Sequence, residues 1–172
     1  MKENESPRDG SFVVIFFGSL DKWEEMEFLL GCNSSDNLFE LLGGGFDISD
    51  ITPNIAACRE IFEETKGTLS IKPDDILYFC HMIQKLPKLG KDEKGHVFYF
   101  YKEYKNMIKD LQASDEHCIL SWHKLPDILN KGEEVYRTST LRIIIHFLRY
   151  ISNREFRFGI LGEKISFRDY RF

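Results

Sequence analysis

The chain has 172 residues, 42% hydrophobic and 30% charged, with 12 Gly and 5 Pro, the composition of one globular domain and not of a disordered chain. At this length folding buries roughly 70% of the surface an extended chain exposes, so the core needs no disulfide or structural metal. The formal net charge of -5 argues against a protein whose main task is to grip nucleic acid along its phosphates. Cys32, Cys58, Cys80 and Cys118 are widely spaced and form no C-x-x-C pair, so they are expected to be reduced thiols in or beside the core. Met1 to Gly10 is polar and mixed in charge, which predicts a flexible start without a signal peptide, and no apolar run reaches the ~18 residues of a membrane span. The expectation is a cytoplasmic protein with no membrane partner.

In chain order, Ser11–Ser19 is β-branched and aromatic and predicts a buried strand, with Met26–Cys32 as its partner. Leu38–Leu42 predicts a short strand that runs into Gly43, Gly44 and Gly45. A helix follows from Pro53, capped by Thr52 and ending near Lys66 and Gly67. Asp75–Ile83 and His96–Tyr104 predict two strands joined by a solvated loop carrying Lys85, Lys88, Lys91 and Lys94. On the second of these strands Phe98 and Phe100 alternate with Tyr99 and Tyr101, so one set faces the core and the other is open to stack a base. Asn106–Gln112 predicts a helical turn, Cys118–Trp122 a strand, and Leu125–Leu129 a short helix. Leu141, Ile144, Ile145, Leu148 and Ile151 follow the spacing of a helix that lays one stripe on a core. Arg154–Phe172 alternates about Gly162 and predicts a hairpin that covers the core or joins a second subunit. Together these elements predict a single mixed α/β domain over residues 11–172.

The chemistry concentrates between Gly43 and Gly67. At about 100° per residue, Glu60, Glu63 and Glu64 share one helical face, with Ile55, Cys58 and Phe62 opposite. Three clustered carboxylates repel one another unless cations lie between them, and hard oxygen ligands suit Mg²⁺ or Mn²⁺. The glycines before the helix give a loop the freedom of positive φ and let backbone N–H groups approach a phosphate. Acids in an E-x-x-E-E pattern alone describe many solvated surface helices; the glycines and Arg59 make the constellation more specific.

The segment resembles the Nudix box, G-x5-E-x7-R-E-U-x-E-E-x-G-U with U apolar. Gly45 matches the first glycine, Arg59-Glu60-Ile61 match R-E-U, and Glu63-Glu64 match E-E without a gap. Two positions depart from it. Ile51 stands where the box has Glu, with Asp50 before it, and Lys66 stands where glycine is expected, with Gly67 after it. The resemblance implies an α/β/α sandwich with a mixed β-sheet and metal-dependent hydrolysis of a pyrophosphate bridge in a nucleoside diphosphate derivative. It makes Glu60, Glu63 and Glu64 metal ligands, gives Glu60 or Glu64 a further part in positioning or deprotonating water, and assigns Arg59 to orienting a carboxylate. Gly44 and Gly45 shape the loop. Without the box Glu, Arg59 needs another partner, and Asp50 takes that place only by a local shift.

Downstream, Ser114-Asp115-Glu116-His117 with Trp122 resembles the S-x-E-H-x-x-x-x-W order of Nudix branches that hydrolyse dinucleoside tetraphosphates or nucleoside triphosphates. That likeness makes Glu116 a further metal ligand or general base, while His117 reads as structural. The expected partner is thus a small nucleotide, a dinucleoside polyphosphate or a nucleoside triphosphate, with a capped RNA end or ADP-ribose as variants, and a homodimer follows only in the case where the C-terminal hairpin joins a second subunit. The rival reading is a nucleotide-binding module in which Ile51 marks lost catalysis.

Overall fold

The computed structural model describes residues 9–86, 91–102 and 110–155. Seven strands form one sheet: β1 (Gly10–Phe17), β2 (Glu27–Asn33), β3 (Phe39–Glu40), β4 (Leu42–Gly45), β5 (Leu77–Leu86), β6 (Lys91–Lys102) and β7 (His117–Lys124). The central order is β3-β2-β1-β6-β5, with β4 paired to β1 and β7 to β2. The β1–β6 pair is parallel and the other pairs are antiparallel, so the sheet is mixed. The α-helices among the described residues are α1 (Pro53–Glu64), α2 (Leu125–Lys131) and α3 (Thr138–Glu155).

Strand β1 explains the layering. Its side chains alternate with a period of two, so Val14 and Phe16 enter one core with Phe28, Ile144, Phe147 and Leu148, while Val13 and Ile15 enter another with Leu42, Ala57, Ile61 and Phe98. The sheet is therefore apolar on both faces, with α3 and α2 over one and α1 over the other, the α/β/α sandwich expected from the sequence. Burial of Ile144, Phe147 and Leu148 stabilises α3 on the sheet by roughly 1.5–3 kcal/mol per side chain.

Several expectations are corrected. The strand expected over Leu38–Leu42 divides at Leu41, because Phe39–Glu40 bonds to β2 whereas Leu42–Gly45 bonds to β1. The lysine loop is mostly strand: β5 and β6 run on in register with Ile83 opposite Lys94 and Lys85 opposite Asp92, while Lys88 lies outside the described residues. Both sets of β6 rings pack, Phe98 and Phe100 against the α1 side and Tyr99 beside Phe147, so only Tyr101 keeps an open face. Helix α3 continues through Arg154 and Glu155, where a hairpin was expected to begin. The rest of that hairpin, and residues 106–109 of the turn expected over Asn106–Gln112, lie outside the described residues; Asp110, at φ 55°, and the two residues after it are not helical. Cys32 and Cys58 are buried, but Cys118 is exposed because the β-bulge opposite Cys32 and Asn33 turns it outward. No helix among the described residues is long and apolar enough to cross a membrane.

Candidate active site

Helix α1 begins as its sequence requires, with Thr52 in an extended conformation and Pro53 in the first turn. Thr52 acts as cap residue without the expected side-chain bond to a helix N–H; its hydroxyl bonds Asn54 Oδ1 instead. The helix ends where Lys66 itself takes φ 49°, followed by Gly67 at φ 75°, and the Gly67 N–H closes on Phe62 O at 2.7 Å. A lysine thus occupies the left-handed position for which glycine is usual, at a cost of about 1 kcal/mol.

The helical wheel needs correction. The face that anchors α1 consists of Ala56, Ala57, Cys58, Ile61 and Glu64, whereas Ile55 and Phe62 are exposed. Small side chains at Ala56 and Ala57 let the helix approach β4 closely, and that approach draws Glu64 inward. Glu64 is 4% exposed, and the Gly43 N–H donates to its Oε2 at 2.8 Å. Burial pushes the Glu64 carboxyl up to about 9 against the pull of that hydrogen bond, and the charges of Glu116, Glu60 and Glu40 push the same way. Burial also raises Glu60; Arg59 opposes the rise, and Glu63 and Glu116 add to it.

Glycine roles are unequal. Only Gly43 in this run takes positive φ, at 140°, where a Cβ would lie 2.2 Å from Ser11 O. At Gly44 a Cβ would sit 2.6 Å from the Glu60 carboxyl carbon, so its missing side chain makes room for that acid. Nothing lies within 4 Å of such an atom at Gly45; its contribution is a carbonyl that accepts from Arg59 Nη2 at 2.8 Å. The expectation of a loop made pliable at all three positions is replaced by one strand with three distinct backbone uses.

Arg59 does find its partner. Asp50 accepts from Nη2 at 2.9 Å and from Nε at 3.2 Å, and the same guanidinium reaches Glu60 Oε1 at 2.9 Å and Glu63 Oε2 at 3.0 Å. Arg59 holds the Asp50 carboxyl below its ordinary range. Asp50 also accepts from the Asp47 N–H at 2.7 Å, which ties the box loop to the helix. Ile51, at the expected Glu position, is 86% exposed and takes no part.

The segment carrying Glu116 is tied to the acidic helix through Ser114. The Ser114 N–H donates to Glu64 O at 2.8 Å and the Ser34 N–H donates to Glu116 O at 2.8 Å, so the segment entering β7 is fastened on both sides. Glu60, Glu64 and Glu116 consequently feel one another's charge, while Glu63 is 57% exposed beside Arg59. Among the described residues no three His, Cys, Asp or Glu side chains converge closely enough to enclose an ion. The donors are nonetheless hard oxygens, and Gly44 leaves the Glu60 carboxylate a cradle that a Cβ would fill, which suits a divalent cation.

One residue read as structural and one that sequence reasoning did not single out complete the site. His117, read as structural, is wholly buried with Nε2 3.2 Å from Glu40 Oε1 and Nδ1 3.8 Å from Glu64 Oε1. Glu40 carries no motif signal, since its partners lie far away in sequence. A cavity of about 210 Å³ opens beside Glu40, Gly44, Gly45 and Lys94. It shares Met82, Ser139 and Ile143 with a cleft of about 900 Å³ between β5 and α3, lined by Arg137, Arg142, His81 and His146.

This sandwich, with its box helix and downstream acid, defines a Nudix-type domain. The NUDIX domain model matches residues 7–142, and the chain belongs to that family. No protein of curated function matches the sequence. Among solved structures, the chain is similar to a C. elegans Ap4A hydrolase in a binary complex, at 19% identity and TM-score 0.61, covering 85% of this chain and 98% of that one. It is similar to the NUDIX domain of Shewanella oneidensis NrtR complexed with ADP ribose, at 17% identity and TM-score 0.66, covering 87% and 92%. A third is a Francisella tularensis bifunctional NMN adenylyltransferase/ADP ribose pyrophosphatase complexed with AMP and a Mn ion, at 17% identity and TM-score 0.65, covering 86% of this chain and 43% of that one.

Proposed function

We propose that the chain hydrolyses the pyrophosphate bridge of a nucleotide with the help of Mg²⁺ or Mn²⁺, and that its substrate is an extended one, a dinucleoside polyphosphate before a nucleoside triphosphate. The observation that carries the reading is the buried Glu64, held by the Gly43 N–H and surrounded by the charges of Glu60 and Glu116, on a strand whose next two glycines line a cavity. Such an acidic pole is unfavourable by itself and favourable around a cation. Glu60 and Glu64 are the principal ligands in this reading, with Glu63 contributing less because Arg59 holds it at the surface, and with Glu116 as further ligand or general base.

A divalent ion there acidifies water and neutralises phosphate oxygens. Around it the chain's own groups set the geometry. The Gly43 N–H orients Glu64, Arg59 and Asp50 brace the box loop, and Gly44 lets the Glu60 carboxylate lie against β4. Water attacks phosphorus, the bridging P–O bond breaks, and an acid of the pole takes the water proton. The preference for an extended substrate rests on the lining that the box cavity shares with the cleft of Arg142, His81 and His146, whose N–H donors suit a second anionic arm. The Mn ion and AMP named for the Francisella tularensis neighbour are in keeping with a metal-assisted reaction on a nucleotide, and the Ap4A hydrolase likeness with an extended substrate.

The test is to incubate the protein with dinucleoside polyphosphates, nucleoside triphosphates, ADP-ribose and capped RNA, with and without Mg²⁺ or Mn²⁺, and to separate the products. Metal-dependent cleavage that Glu64→Gln abolishes is the expected result. Nucleotide binding without turnover of any substrate contradicts the hydrolase reading and leaves a binding module.

A further inference from the structure

Glu64 is the one acid among the buried described residues, and its surroundings extend beyond the box. Its Oε2 accepts from the Gly43 N–H, whereas Oε1 faces His117 Nδ1 at 3.8 Å, a buried nitrogen with no hydrogen-bond partner. The other side of the ring is fixed. Nε2 stands 3.2 Å from Glu40 Oε1, and Glu40 also accepts from Asn33 Nδ2 at 2.6 Å and from Arg137 Nη1. Arg137, just before α3, is held in turn by Asp36 at 2.8 Å. Beneath the ring lies Gly31, where a Cβ would stand 2.4 Å from His117 Cδ2. Any side chain at position 31 would displace the ring, so the β2 backbone sets its depth.

We propose that His117 is a positioning residue for Glu64: wedged between Gly31 and the Glu40–Arg137 pair, its ring keeps the Glu64 carboxylate seated on the Gly43 N–H. Buried partners standing behind a ligating group commonly fix its orientation. A chain of contacts then runs from Arg137 through Glu40 and His117 to Glu64, linking α3, β3, β7 and α1. Its catalytic consequence rests on the hydrolase reading, but the positioning itself does not.

The two nitrogens can be tested separately. In the intact chain, His117→Asn keeps a polar atom near the Nδ1 position, facing Glu64, while His117→Gln keeps one near Nε2, facing Glu40. The Gly43 amide, followed by NMR, reports the seat of Glu64 without metal or substrate. In His117→Gln its resonance is expected to move as it does in Glu64→Gln, with exchange about 10-fold faster, and kcat is expected to fall about 10- to 100-fold with KM within about 2-fold. His117→Asn is expected to restore most of both readouts. Should His117→Gln fail to fold, Gly31→Ala applies the same displacement from behind the ring. A folded His117→Gln or Gly31→Ala protein whose Gly43 amide is unchanged overturns the proposal. That result with wild-type turnover intact leaves the hydrolase standing, whereas a moved amide in the variant together with a wild type that turns over no nucleotide upholds the positioning and refutes the hydrolase.

Discussion

Glu63 and Glu64 are neighbours in sequence and opposites in environment. Glu63 lies at the surface with its charge answered by Arg59, in a cluster where Asp50 and Glu60 share the same guanidinium. Glu64 lies inside, with one backbone N–H, a histidine that does not quite reach it, and three acids adding to its burden. In the first cluster every acid meets the guanidinium, and the cluster braces a loop. The second is incomplete without a cation, and incompleteness of this kind locates chemistry better than a count of acids does.

The sharpest way to break that contrast is Glu64→Gln against Glu63→Gln. The first is expected to lower turnover about 1,000-fold, the several kcal/mol of charge stabilisation that a held ion supplies, and the second less than about 10-fold. Steady-state kinetics at saturating Mn²⁺ distinguish them, and equal losses would dissolve the contrast.

On the brace, Asp50→Asn is expected to cost about 2 kcal/mol at pH 7, measured by urea unfolding, because hydrogen bonds to the Arg59 guanidinium are charge-assisted. Arg59 lowers the folded-state pKa of Asp50, so this stabilisation is present above the ordinary carboxylate range and lost as pH falls through the depressed value. The gap between variant and wild type should close in acid. A gap independent of pH would show that Asp50 acts through packing instead.

The opposite sign is expected at Glu64. Its pKa is raised to about 9 by burial, so the metal-free protein enjoys the neutral acid's stability at low pH and loses it as pH rises toward that value. Glu64→Gln should therefore gain thermal stability relative to wild type between about pH 5 and 9, with Mn²⁺ stabilising the wild type alone. A melting-temperature difference that stays flat across this range contradicts the buried charge.

Smaller effects separate neighbouring glycines. Gly44→Ala is expected to lower kcat about 10-fold with little loss of fold, because its Cβ meets the mobile end of Glu60, while Gly45→Ala meets nothing and leaves kcat unchanged. Ile51→Glu, which restores the box acid, is expected to change stability by less than about 0.5 kcal/mol, since the side chain is exposed and Asp50 already fills the role. A large gain in activity from Ile51→Glu would show that Asp50 is an inadequate substitute.

The sequence carried the sandwich and the box because both are written in short-range patterns: alternation in β1, the stripe of α3, and the unbroken spacing from Arg59 to Glu64. It misled on the face of α1, where a wheel sorts side chains by polarity. Proximity to the glycine strand β4 instead buries Glu64 with Ala57 and Ile61 and leaves Phe62 in solvent. It also hid the strand break at Leu41, since Leu38–Leu42 reads as one apolar run although its halves bond to different strands. The Asp50 substitution was visible only as a shift of one residue, and the geometry of the turn at Asp47–Asp50 brings it about. The Glu40–His117–Glu64 line was not legible, because Glu40 and His117 are 77 positions apart and no periodicity joins them.

The most direct test of the central claim, that the buried pole at Glu64 is where a cation and the reaction belong, is calorimetric titration of Mn²⁺ into the wild-type, Glu64→Gln and Glu63→Gln proteins. The account predicts binding by the wild type, its loss in Glu64→Gln, and a modest weakening in Glu63→Gln. Undiminished binding by Glu64→Gln would place the ion elsewhere and contradict it.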